Sequence, residues 1–141
     1  MKIGLGFMRH ERNQQDGQDL VDYAINNNNN YFEVSTFYMN FYCEKYLYKL
    51  LKKYTRYDYN ICQKMPIKNV IPKNDFKTIY YNQLKSVPGN YFDTYLLQSL
   101  SHESLYSLYE TEIIPFFLEE KRKGNILQFG FSNKSNNIAL N

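Results

Sequence analysis

Three runs carry the side chains best placed to do chemistry: Tyr31-Phe32-Glu33-Val34-Ser35-Thr36-Phe37-Tyr38, Cys62-Gln63-Lys64-Met65 and Tyr95-Leu96-Leu97-Gln98-Ser99. Each is an apolar, strand-like stretch that ends in polar or ionisable residues, and they recur at near-regular intervals between helix-like segments. A β/α barrel presents chemistry in this way, because its strands bury their bodies and offer their last side chains to a common mouth. Tyr38 and Lys64 would meet there as a phenol and an ammonium, each able to hold or release a proton.

The elements that must position them follow from periodicity and punctuation. Ile3 to Met8 reads as a short strand whose Gly4 and Gly6 admit close approach of a backbone or ligand. A helix over Gln18 to Ile25 has Leu20, Val21, Ala24 and Ile25 at helical spacing, with Asp16 or Asp19 at its start. The five asparagines Asn26 to Asn30 stop it, since Asn tolerates the left-handed cap conformation. Tyr31 to Ser35 is a strand, and Glu44 to Tyr54 is a helix that buries Leu47, Leu50 and Leu51. Tyr59 to Met65 is a strand closed by Pro66. Asp75 to Val87 is a helix with Phe76, Ile79, Tyr80 and Leu84 on its inner face, and Pro88-Gly89-Asn90 turns out of it. Tyr91 to Leu97 is a strand covered on both faces. A helical segment from Leu105 to Lys123 should be kinked or divided at Pro115 and capped by Gly124, before a fifth strand from Ile126 to Phe131.

The order β-α-β-α-β-α-β-α-β predicts parallel strands with right-handed crossovers in one domain over residues 1–141. A net charge of +3, from 17 basic and 14 acidic residues, is spread without a basic stripe and speaks against nucleic acid as a partner. The densest charge cluster, Glu119 to Lys123, mixes both signs and reads as a solvated helix end. No apolar run approaches the roughly 20 residues of a membrane span, and the N-terminus lacks a signal-peptide core, so no membrane role and a cytoplasmic location are expected. Cys43 and Cys62 form no CxxC and read as free thiols, so no metal site is expected. The 15 tyrosines, with no tryptophan, read mainly as core and core rim, a sugar-stacking surface being the lesser alternative.

With the strand ends in place, the chain resembles the N-terminal part of the aldo-keto reductases, closest to the bacterial branch that often carries an iron-sulfur tail. The blocks that carry the resemblance are KIGLGFMR, LVDYAINNNNNYFEVSTFYMNFYCEKYLYKLLKK, ICQKMPI, YFDTYLLQSL and EEKRKGNILQFGFSN, in family order over nearly all of the chain. The resemblance implies an α/β fold, a (β/α)8 barrel of which about five parallel strands with their helices are represented here and the C-terminal strands are not. It implies reduction of an aldehyde or ketone by hydride transfer from NADPH or NADH. The family's tyrosine protonates the carbonyl oxygen, a lysine lowers that tyrosine's pKa, an aspartate pairs with the lysine, and a histidine orients the carbonyl.

Carried onto this sequence, the tyrosine is Tyr38 and the lysine is Lys64. Glu33 stands at the aspartate position and keeps the charge with one more methylene. Gln98 stands at the histidine position, where it can donate a hydrogen bond but not a proton. The family's cofactor contacts imply Ser132 and Asn133 against the nicotinamide carboxamide, and the backbone around Gly6, Phe7 and Met8 beneath the cofactor. His10 and His102 lie outside the matched position and read as surface or loop residues. The iron-sulfur cysteines would lie beyond the end of this chain, so no cluster is implied.

Five strands of a barrel leave two edges unpaired. The expectations are therefore an NAD(P)H-dependent reductase acting on a small carbonyl compound, or a degenerate, non-catalytic fragment (a pseudoenzyme) that serves as an interaction or self-associating module. Its partner would be a second copy or the missing C-terminal half of a truncated barrel.

Overall fold

All five apolar runs become strands of one parallel sheet in the order β1-β2-β3-β4-β5. The structure is a computed structural model and describes residues 3–8, 14–38, 42–70 and 75–133. The elements are β1 (Gly4–Gly6), α1 (Gln14–Asn26), β2 (Tyr31–Ser35), α2 (Tyr42–Leu51), β3 (Asn60–Pro66), α3 (Ile67–Val70), α4 (Phe76–Ser86), β4 (Phe92–Leu100), α5 (His102–Tyr109), α6 (Ile113–Arg122) and β5 (Ile126–Asn133), with 3-10 turns at Arg56–Asp58 and Pro88–Asn90. The alternation is that of half a β/α barrel, with sequential strands as neighbours and helices as crossovers.

Side-chain alternation divides the sheet into two chemistries. The helix-facing row holds Phe7, Phe32, Val34, Ile61, Met65, Tyr95 and Leu97, all buried in one continuous core with Leu47, Leu50, Leu51, Tyr80 and Phe117. Tyr80 and Tyr95 are fully buried, and their hydroxyls donate to Glu120 and Gln83, as buried phenols require. Tyr57, Tyr106 and Tyr109 are instead largely exposed, so the tyrosines serve both core and surface. The other row, Gly6, Glu33, Ser35, Cys62, Lys64, Thr94, Gln98 and Ser132, occupies alternate strand positions and is mostly polar.

Local signals explain the boundaries. α1 ends in the asparagine run, where Asn28 takes a φ of 59°. β3 ends on Pro66, whose ring removes the next ladder donor. The segment expected to divide at Pro115 divides earlier, over Glu110 to Glu112. Pro115 then falls in the first turn of α6, where a missing N–H costs nothing. β4 runs three residues further than the sequence indicates, through a register shift between Leu97 and Leu100. His102 opens α5, so it is helical, whereas His10 lies outside the described residues.

An arginine clamp locks the N-terminal ends of the strands. Arg56 donates to the carbonyls of Tyr59 at 2.8 Å and Pro88 at 3.0 Å, pairs with Asp93, and lies 3.9 Å from the centroid of the Tyr91 ring. Asp93 in turn accepts from the Ile61 amide at 2.7 Å. Gly89, at φ 79°, lets the chain turn against the Arg56 stem, where a Cβ would come within 2.9 Å.

Candidate active site

The C-terminal ends of β2 and β3 bring together three of the residues singled out in the sequence. Ser35 pairs with Lys64 across the β2–β3 ladder, and Glu33 lies two residues back on the same face of β2. A turn closed by the Tyr38 amide on the Ser35 carbonyl, at 3.0 Å, folds Tyr38 back over the strand end. Lys64 Nζ then sits 2.8 Å from Glu33 Oε1 and donates to the Tyr38 hydroxyl at 3.3 Å. The Tyr38 hydroxyl itself donates to Glu33 Oε1 at 3.2 Å. The extra methylene of Glu33 is thus absorbed: its carboxylate reaches both the ammonium and the phenol.

The electrostatics of this trio follow from partial burial. Burial alone would push Lys64 down, but the hydrogen bond and charge of Glu33, with Tyr38 beside it, carry its pKa above the usual lysine value. Tyr38 is raised above the ordinary tyrosine value, first by burial and then by the Glu33 carboxylate. Lys64 pulls in the opposite direction and is outweighed. The phenol therefore keeps its proton throughout the neutral range. It is a proton donor already in contact with a cation that can stabilise its phenolate.

Gln98 enters from β4, opposite Pro66. Its Oε1 accepts from the buried Ser35 hydroxyl at 2.9 Å, which leaves the amide Nε2 as the outward donor. Ser35 is a positioning residue that the sequence did not single out. Its only signal there is a small polar residue at the end of β2. A cleft of about 250 Å³ opens beside these groups, lined by Phe37, Tyr38, Pro66, Lys68, Gln98 and Ser99.

A second polar layer braces the site from the helix side of the sheet. Gln63, next to Lys64, donates to Glu44 at 2.9 Å and accepts from the Lys64 amide at 2.8 Å. Glu44 also accepts from Thr36, and Gln83 bridges Thr36 to Tyr95. Burial raises the Glu44 carboxyl, with Thr36 and Gln63 partly offsetting it. The sequence signal for this layer is Gln63 itself, a polar side chain in the apolar row of β3, which must find partners.

The candidate cofactor contacts flank the trio. Gly6 pairs with Glu33, and a Cβ there would lie 3.5 Å from Glu33 Oε2, so no side chain of β1 covers the carboxylate on that side. The Phe7 ring is fully buried in the core, which leaves its backbone, together with Gly6 and the exposed Met8, to face a ligand. Ser132 accepts from the Ser99 amide at 3.2 Å and so retains its own proton to donate, and Asn133 pairs with Leu100 at the end of β5. Among the described residues no group of three or more His, Cys, Asp or Glu side chains could hold a metal ion. Cys43 and Cys62 are buried and are not joined in a disulfide, and burial raises the Cys62 thiol. No helix of the described residues is long and apolar enough to cross a membrane.

Comparison with known proteins gives the family and the fold. The family model for the aldo/keto reductase family matches residues 2–139. Among solved structures, an aldo-keto reductase from Bacillus halodurans in its holo form superposes with a TM-score of 0.76 at 19% identity, covering 98% of this chain and 48% of that one. An aldo-keto reductase from Klebsiella pneumoniae in complex with NADPH gives 0.71 at 18% identity, covering 96% and 46%. Another Klebsiella pneumoniae structure, with NADP and acetate, gives 0.70 at 18% identity, covering 96% and 46%. This chain spans about half the length of those proteins. No protein of curated function matches it. The strand-end trio, the half-barrel that carries it and the family match over nearly the whole sequence lead to one conclusion: the chain belongs to the aldo/keto reductase family.

Proposed function

We propose that the Tyr38 site reduces an aldehyde or ketone to the alcohol with NADPH or NADH. The observation that carries this reading is the Tyr38 hydroxyl held within hydrogen-bond distance of both Lys64 Nζ and Glu33 Oε1. A reduced nicotinamide, when bound, supplies the hydride to the carbonyl carbon. Tyr38 gives its proton to the carbonyl oxygen, and Lys64 stabilises the phenolate left behind until solvent returns the proton. Glu33 holds Lys64 in place, and the Gln98 amide donates to the carbonyl oxygen. Ser132, Asn133 and the Gly6 to Met8 backbone would hold the nicotinamide end of the cofactor.

Calorimetric titration of the chain with NADPH, followed by NADPH oxidation in the presence of a test aldehyde, examines this directly. Saturable binding is expected, with Tyr38→Phe lowering kcat/KM by about 100-fold or more while leaving NADPH affinity in place. Turnover that Tyr38→Phe does not change would remove the phenol from the chemistry.

The sheet edges support a second reading, that of a non-catalytic, self-associating module. Among the described residues β5 has a neighbour on one side alone, and its Leu127 and Phe131 are about half exposed. A second copy would cover them.

A further inference from the structure

The cleft beside Tyr38 carries an unbalanced charge. Of its six described lining residues, Phe37 and Pro66 are apolar, Tyr38, Gln98 and Ser99 are neutral and polar, and Lys68 alone is charged. Lys64, one layer deeper, is balanced by Glu33. Lys68 sits in the short α3 turn directly after β3, and among the described residues it has no hydrogen-bond or ion-pair partner. Among the described residues no acidic side chain lines the cleft to offset it.

The opposite wall is built under strain. Ser99 takes a φ of 57°, a region that serine rarely occupies, and it does so inside the register shift between Leu97 and Leu100. Its amide is fixed on Ser132 at 3.2 Å. The bulge places Gln98 and Ser99 on the same cleft, where regular alternation would have put them on opposite faces of the sheet. Strain of this kind persists where a site needs it. The result is a small cleft with a proton donor, an amide donor, a hydroxyl and one unpaired cation.

We propose that the carbonyl compound taken by this site carries an anionic group, a carboxylate in the first instance, that Lys68 binds while Tyr38 and Gln98 face the carbonyl oxygen. The proposal rests on the reductase reading for the identity of the reacting group, but not for the anion contact. The ammonium and the anion form a charge-assisted pair whose strength falls with added salt.

A matched pair of ligands tests it with and without turnover. Succinic semialdehyde and butyraldehyde share a carbon chain and differ by one carboxylate, as do their product alcohols, gamma-hydroxybutyrate and butanol. NMR titration of the full chain is expected to show gamma-hydroxybutyrate binding about tenfold more tightly than butanol at low salt, with shifts at Gln98 and Ser99. Lys68→Gln should bring that ratio close to one, Lys68→Arg should restore it, and NADPH affinity should be the same in all three proteins. The ratio of kcat/KM for the two aldehydes should move in parallel. Absence of saturable binding by gamma-hydroxybutyrate, or equal binding of both alcohols, overturns the inference. A fall in NADPH affinity in Lys68→Gln would assign the cation to the cofactor and also overturn it. If the binding contrast holds but no Tyr38-dependent turnover is found, the reductase reading fails alone. Turnover that is indifferent to the carboxylate removes this inference and leaves the reductase reading standing.

Discussion

Tyr38 is a weaker acid here than a phenol in water, because burial and the Glu33 carboxylate outweigh the neighbouring Lys64. The family role of a lysine beside a tyrosine is to favour the phenolate, yet in this chain Glu33 pairs with the lysine and also accepts from the phenol itself. The sign of a test follows. In Glu33→Gln the raising charge is gone and Lys64 is no longer neutralised, so both changes lower the Tyr38 pKa. The phenolate absorbance of Glu33→Gln, after subtraction of the corresponding Tyr38→Phe background, should therefore rise at lower pH than in the parent protein. The alkaline limb of any reductase activity should move the same way. A limb that stays in place would mean that Glu33 does not set the tyrosine's acidity.

At the scale of elements, the site depends on polar contacts packed behind the sheet. Glu44 from α2, Gln63 from β3, Gln83 from α4 and Thr36 after β2 form one buried network against the back of Lys64. The Glu44 carboxyl is raised by burial, so its ionisation opposes folding. That opposition is absent at pH below the carboxyl's unfolded value and complete above its raised folded value. Glu44→Gln keeps an oxygen acceptor for Thr36 and Gln63 and removes the charge. Its unfolding midpoint should exceed the parent's at neutral pH by a few degrees, with the two converging in acid. A midpoint below the parent's at neutral pH would show that the charge, and not only the acceptor, holds the network.

At the scale of the whole molecule, the core lies between the sheet and its helices, the other face of the sheet is mostly polar, and among the described residues β1 and β5 are its edges. An edge with exposed apolar side chains is a template for association, and lysine on such an edge discourages it. Sedimentation velocity is expected to show association that grows with protein concentration, and Phe131→Lys should shift the distribution towards monomer. A chain that sediments as a monomer at all concentrations would count against the self-associating reading.

The sequence by itself determined the five strands and their order along the chain, because these depend on local periodicity and on residues such as Pro66, Gly124 and the Asn26 to Asn30 run, and the strand ends that a β/α barrel turns to one mouth pointed Tyr38 towards Lys64. Glu33 was reached only through the family resemblance, and the β2–β3 register then sets it two residues behind Ser35, the ladder partner of Lys64, on the same face. The tertiary structure alone decided what those residues contact. The Ser35 to Gln98 hydrogen bond joins residues 63 positions apart, and the bulge that turns Gln98 and Ser99 into one cleft breaks the alternation from which a sequence is read. The division of the long helical segment ahead of Pro115 was hidden because a proline marks a break as readily as a first turn. Lys68 was not singled out in the sequence, and α3 brings it to the cleft that Tyr38 also lines. Such contacts depend on how strands far apart in the chain are brought side by side, and no local pattern records that.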